Sequence, residues 1–143
     1  MRRLLFLVLV LSVMGACSQQ ETKENPTEMK KFTLKEVETV ITEQGIKLDY
    51  ETELPSENVF IQELNGMTPE VYKVKSHTLS VYVFSSVSDR EKGLQRFDEK
   101  TATAEVVEHQ AYELNNILVF YVSDDEDMQN RLFEALQELD APE

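Results

Sequence analysis

The sequence predicts an α+β domain: an antiparallel sheet of about five strands with helices on one face, in the order α-β-(ββα)-(ββα). Three observations carry this expectation. Ahead of three amphipathic stretches, a hydroxyl residue is followed three positions later by glutamate (Thr33 and Glu36, Ser88 and Glu91, Ser123 and Glu126), the capping-box pattern that opens helices. From Ile46 to Glu51 apolar and polar residues alternate, as in a strand with one wet face. Two further β-type runs each fold back around a two-residue turn.

In chain order, the first helix runs from Leu34 to about Gln44, with Leu34, Val37, Val40 and Ile41 on one face and Gly45 free to take the left-handed conformation that ends a helix. The alternating strand follows. Pro55 to Gly66 suits a helical turn or a strand equally, because Phe60 and Leu64 fit both. Val71–Lys75 and Thr78–Phe84 form a hairpin closed at Ser76-His77, followed by a second helix from Asp89 to about Phe97. That helix offers only Leu94 and Phe97 to a core and is weakened by Gly93. His109–Leu114 and Ile117–Val122 form a hairpin closed at Asn115-Asn116, and the third helix runs from Asp124 to about Leu139 with Met128, Leu132, Ala135, Leu136 and Leu139 on one stripe. The two hairpin-helix units align, Tyr72 with Tyr112 and Val81 with Val119, as an internal ββα duplication would.

Tight turns fix register, and register sorts side chains by face. Tyr72, Val74, Leu79, Val81, Val83, Tyr112, Leu114, Ile117 and Val119 fall on a first face, expected to be the core beneath the helices. The second face mixes Lys73 and Glu113 with Tyr82, Phe84, Leu118 and Phe120. If all helices cover the first face, these four large apolar groups form an exposed patch of the kind that marks partner sites. The alternatives are coverage by Pro55–Gly66, by the strand edges or by a second copy.

The chain opens with Arg2 and Arg3, an uncharged run from Leu4 to Met14, and Gly15-Ala16-Cys17, which holds the only cysteine. Eleven residues are too few to cross a bilayer as a helix, which takes roughly 20. A positive start, a short apolar run and small residues at the exit are instead the layout of an export signal. Met14-Gly15-Ala16-Cys17 resembles the lipobox of bacterial lipoproteins, with methionine where leucine is usual. The resemblance implies that residues 1–16 are removed, that Cys17 carries a diacylglyceryl group and becomes the mature N-terminus, and that the protein sits on the outer face of the cell membrane. Residues 17–31 have the composition of a disordered tether, leaving 32–143 as the folded domain. Lipobox, charged tether and short α+β domain together resemble small lipoproteins of Gram-positive bacteria.

From Phe32 to Glu143 the chain carries 24 acidic against 9 basic residues, a net charge of −15. Such a surface is repelled by nucleic-acid phosphates and anionic headgroups, which leaves a basic partner, a cation or solubility to account for it. No cofactor is expected: Gly45, Gly66 and Gly93 build no phosphate loop, and His77 and His109 are too isolated to hold zinc. Asp124, Asp125 and Asp127 are weak candidates for a cation, but the run lacks the spacing and central glycine of a calcium loop and suits a helix N-terminus. These readings favour a membrane-anchored, non-catalytic binding, adaptor or inhibitor module with an unidentified protein partner. The alternatives are a small-ligand or cation sensor, and an extracytoplasmic enzyme that would assemble a serine or carboxylate pair in a pocket.

Overall fold

A computed structural model describes residues 29–142. The signal segment, Cys17 and the tether as far as Glu28 lie outside the described residues. Ahead of Phe32, the Lys30 carbonyl accepts a 2.8 Å hydrogen bond from Asn115 Nδ2.

Among the described residues, three helices and a five-stranded antiparallel sheet make the fold, as the sequence pattern predicts. The elements are α1 (Leu34–Glu43), β1 (Asp49–Tyr50), β2 (Glu70–Val74), β3 (His77–Val83), α2 (Val87–Thr101), β4 (Gln110–Leu114), β5 (Ile117–Tyr121) and α3 (Glu126–Gln137). The strands lie in the order β1-β2-β3-β5-β4. A 3-10 turn at Glu138–Asp140 extends α3, and another at Val59–Ile61 lies in the segment whose pattern was ambiguous.

One of the three expected capping boxes forms. The Thr33 side chain accepts from the Glu36 N–H, and the Glu36 carboxylate accepts from the Thr33 N–H at 2.8 Å. At its other end α1 closes with Gly45 at φ 74°; the Gly45 N–H bonds to Thr42 O and the Ile46 N–H to Ile41 O, while Ile41 and Ile46 pack as the accompanying apolar pair. Helix α2 starts two residues earlier than expected because Ser86, not Ser88, accepts from the Asp89 N–H. Helix α3 is capped by Asp125, whose carboxylate accepts from the Met128 N–H, while Ser123 accepts from the Asp125 N–H one step upstream.

The first hairpin turns at Lys75-Ser76, both at positive φ (47° and 75°), so Val74 opposes His77. The expected Ser76-His77 turn is displaced by one residue. That slides the pairing by two, and since side chains alternate with period two, every residue keeps its face. The second hairpin closes at Asn115-Asn116 with Leu114 opposite Ile117, as expected.

The helices do not share one face, which corrects the expected layering. Helices α1 and α3 cover Tyr72, Leu79, Val81, Tyr112, Ile117 and Val119, while α2 and residues 59–67 cover Tyr82, Phe84, Leu118 and Phe120. This also bears on the duplication, which the fold does not confirm. A two-fold axis through the sheet between β3 and β5 would exchange the hairpins and keep both helices on one side, and they lie on opposite sides.

Gly93 is the reason α2 can lie so close. A Cβ there would press into the Phe84 ring, 2.8 Å from Cε1 and nearer still to Cζ. Phe84 is buried and stacked on Tyr82, so its ring has little room to yield. In an open helix glycine to alanine adds roughly 1 kcal/mol of stability. Here overpacking, costing about 1–3 kcal/mol, should outweigh that gain. Gly93→Ala should therefore lower the urea midpoint, and do so less in a Phe84→Leu background; a stabilised Gly93→Ala protein would contradict the close packing.

Candidate functional site

The four residues expected to form a partner surface form a second core instead. Tyr82, Leu118 and Phe120 are fully buried and Phe84 is 2% exposed. Phe97 of α2 stacks on Phe120 at 4.3 Å between ring centroids, and Phe60 meets Phe120 edge-on at 5.7 Å. The Tyr82 hydroxyl donates to Gln62 O at 2.6 Å, which anchors the 59–67 segment, and burial pushes its phenol pKa up. The same segment turns at Asn65-Gly66, both at positive φ, and Asn65 Nδ2 donates to Asp89 O at the start of α2. Part of this cover comes from the Pro55–Gly66 segment, as one of the sequence-based alternatives expects, and part from α2, which none of them includes.

Charges on the second face sit at its margins. Lys73 pairs with Glu51 at 2.9 Å. Glu113 accepts from the largely buried Arg90 guanidinium of α2, which ties that helix to β4.

The aspartate run serves α3. Asp125 caps the helix and lies 3.7 Å from Lys75 Nζ, while Glu126 and Asp127 occupy the first turn, where carboxylates complement the helix dipole. Asp124 is exposed. Among the described residues no three His, Cys, Asp or Glu side chains converge as a metal-holding group.

The histidines lie apart. His77 is exposed and edge-on to Tyr121. His109 is half-buried among Phe60, Phe97 and Phe120, its ring centroid 4.9 Å from that of Phe60, and its Nδ1 lies 2.9 Å from Val107 O. That geometry makes His109 an aromatic wall, with a backbone carbonyl rather than a serine or an acid at its bonding nitrogen. Of the serines, Ser86 caps α2 and Ser80 is buried on the second face beside Phe120.

Next to His109 opens a cleft of about 530 Å³ between residues 55–62, the end of α2 and the connection to β4. Val59, Phe60, Val106 and Val122 give it an apolar floor, and Val107 stands 62% exposed on its rim. Its cation, Lys100, donates to Gln62 Oε1 at 3.1 Å and Glu63 O at 3.3 Å. A volume of this size lies in the range that small-molecule sites occupy. Sequence reasoning missed the cleft because two irregular segments build it; the only signal was Val106-Val107 inside an otherwise polar connection.

Sequence reasoning also missed Asn116. Its buried side chain accepts from the Phe32 N–H at 2.7 Å and donates to Phe32 O and Phe84 O, each at 2.9 Å. One side chain thus fastens the chain leading into α1 to the strand ends beneath it. Comparison with protein-family models, curated proteins and solved structures finds no match to this chain.

Proposed function

We propose that the protein is a lipid-anchored, extracytoplasmic binding module, held on the outer face of the membrane through a diacylglyceryl group on Cys17 and acting on a protein partner without catalysis. The observation that carries this reading is the order Arg2-Arg3, an uncharged run, and Met14-Gly15-Ala16-Cys17. Each buried CH₂ contributes about 0.8 kcal/mol, and stable attachment takes two chains, which one diacylated cysteine supplies. The acidic domain is repelled by anionic headgroups and would be held clear of them by the intervening residues. Where catalysis would need a nucleophile beside a base, His109 instead sits in an aromatic wall.

Metabolic labelling with a clickable fatty acid tests the anchor. The wild-type chain should take up label and fractionate with membranes, and Cys17→Ser should do neither. Label that persists in Cys17→Ser, or is absent from the wild type, would remove this reading. The apolar cleft favours a small-ligand sensor as the second reading; a melting temperature that no member of a metabolite set shifts would eliminate it.

A further inference from the structure

With both faces of the sheet covered, its edges are where backbone groups remain open, and the two edges differ. On one side β1 is only two residues long, and its first residue, Asp49, is held in an exposed ion pair with Lys47, the kind of short, charged edge that discourages pairing. On the other side β4 is a five-residue strand, Gln110–Leu114, free of lysine and proline.

The register shows which of its groups are free. In a two-residue hairpin the pair beside the turn, Leu114 and Ile117, is hydrogen-bonded, and bonded pairs then alternate along the ladder. Gln110, Tyr112 and Leu114 therefore bond inward to β5, and Ala111 and Glu113 direct their N–H and C=O groups outward. The Ala111 carbonyl confirms that direction, since it accepts a 3.0 Å bond from the Gln110 side chain.

Beside this edge lies an apolar depression of about 140 Å³ between Tyr112, Leu114, Leu136 and Phe133 of α3. Phe133 is 52% exposed, the only large apolar side chain of α3 among the exposed ones. An added strand would bring backbone partners to Ala111 and Glu113 and set an alternate side chain against Phe133, the mode of recognition in which main-chain bonds give affinity and pockets give specificity.

We propose that the free edge of β4 receives an extended, lysine- or arginine-rich segment of a partner protein as a sixth strand. Charge decides the occupant. From Ala102 to Leu114 the chain carries Glu105 and Glu108, with no lysine or arginine in that stretch and with Glu113 paired to Arg90 of α2, within a domain of net charge −15. That field attracts a basic segment and opposes a second copy of the same domain. The proposal rests on reading the chain as a binding module and is independent of Cys17.

The test uses the full chain in detergent with an alternating lysine–valine peptide. The peptide should slow hydrogen exchange at the Ala111 and Glu113 amides, and a glutamate–valine peptide should bind at least about tenfold more weakly. Ala111→Pro removes only an outward donor, as proline on an edge strand does, and should abolish binding. Phe133→Ser, at an exposed site, removes the apolar contact without changing the charge and should weaken binding while leaving the melting curve unchanged, and it provides the reading if Ala111→Pro fails to fold. Equal binding of both peptides, binding indifferent to Phe133→Ser, or a dimer in sedimentation that Phe133→Ser dissolves would each overturn the proposal. Failure of the anchor would show in acyl labelling and leave these readouts untouched.

Discussion

Phe120→Ser should unfold the domain or bring it close to unfolding. Phe120 is fully buried against the rings of Phe97, Phe60 and Tyr82. Truncating such a residue to alanine costs about 3–5 kcal/mol. Serine leaves the cavity unfilled, and the single bond its hydroxyl could make to the facing Ser80 Oγ, which is unpaired among the described residues, would return only about 1 kcal/mol. Against a total stability of roughly 5–15 kcal/mol, that loss is most of the margin. Urea unfolding followed by circular dichroism should show it, and Phe133→Ser, at a half-exposed site, should stay within about 0.5 kcal/mol of wild type. Had the second face been an open partner surface, the two substitutions would behave alike.

Asn116→Ala should be nearly as damaging, although it removes few atoms. It strands the Phe32 N–H, the Phe32 carbonyl and the Phe84 carbonyl, in residues that are each 2% exposed. An unsatisfied buried group costs about 1–3 kcal/mol, and partial relaxation of the chain around Phe32 should hold the sum to about 3–5 kcal/mol. The signature is spatial. The Phe32 amide and the first turn of α1 should lose exchange protection before the sheet does, whereas uniform loss would contradict a local tie.

The sequence carried face assignment more reliably than layering. Tyr72, Val74, Leu79 and Val81 lie on one face and Tyr82 and Phe84 on the other even though the first hairpin slipped. Alternation is a local property and survives such a slip. Which face a following helix crosses to is decided by tertiary fit, and α2 gave a misleading sign. Its few large apolar residues read as a weak helix, whereas the helix packs through Gly93 and Phe97 onto rings supplied by other elements. Glycine weakens a helix by propensity and here creates its contact; propensity alone cannot distinguish the two. Hydroxyl-glutamate spacing failed at Ser88 and Ser123 for a related reason, because Ser86 and Asp125 nearby offered equally competent caps.

The cleft and Asn116 were hidden more deeply. Asn115-Asn116 was legible as a turn, and the Asn115 φ of 46° agrees with that, but the bonds of Asn116 reach residues 84 and 32 positions away. The outward groups of β4 follow from the hairpin register alone, but the depression beside them depends on where α3 docks. Moving the contact surface from the sheet's second face to its free edge keeps the binding-module reading and changes where a partner would be sought.

Everything turns on the second face being closed. A single thiol at that face measures it directly: Leu118→Cys in a Cys17→Ser background, compared with Phe133→Cys in the same background, each mixed with a thiol reagent under native conditions. A two-sided core predicts that the thiol at 118 reacts only as fast as the domain unfolds, accelerating with urea, while the thiol at 133 reacts at once. Equal native reactivity at the two positions would contradict it.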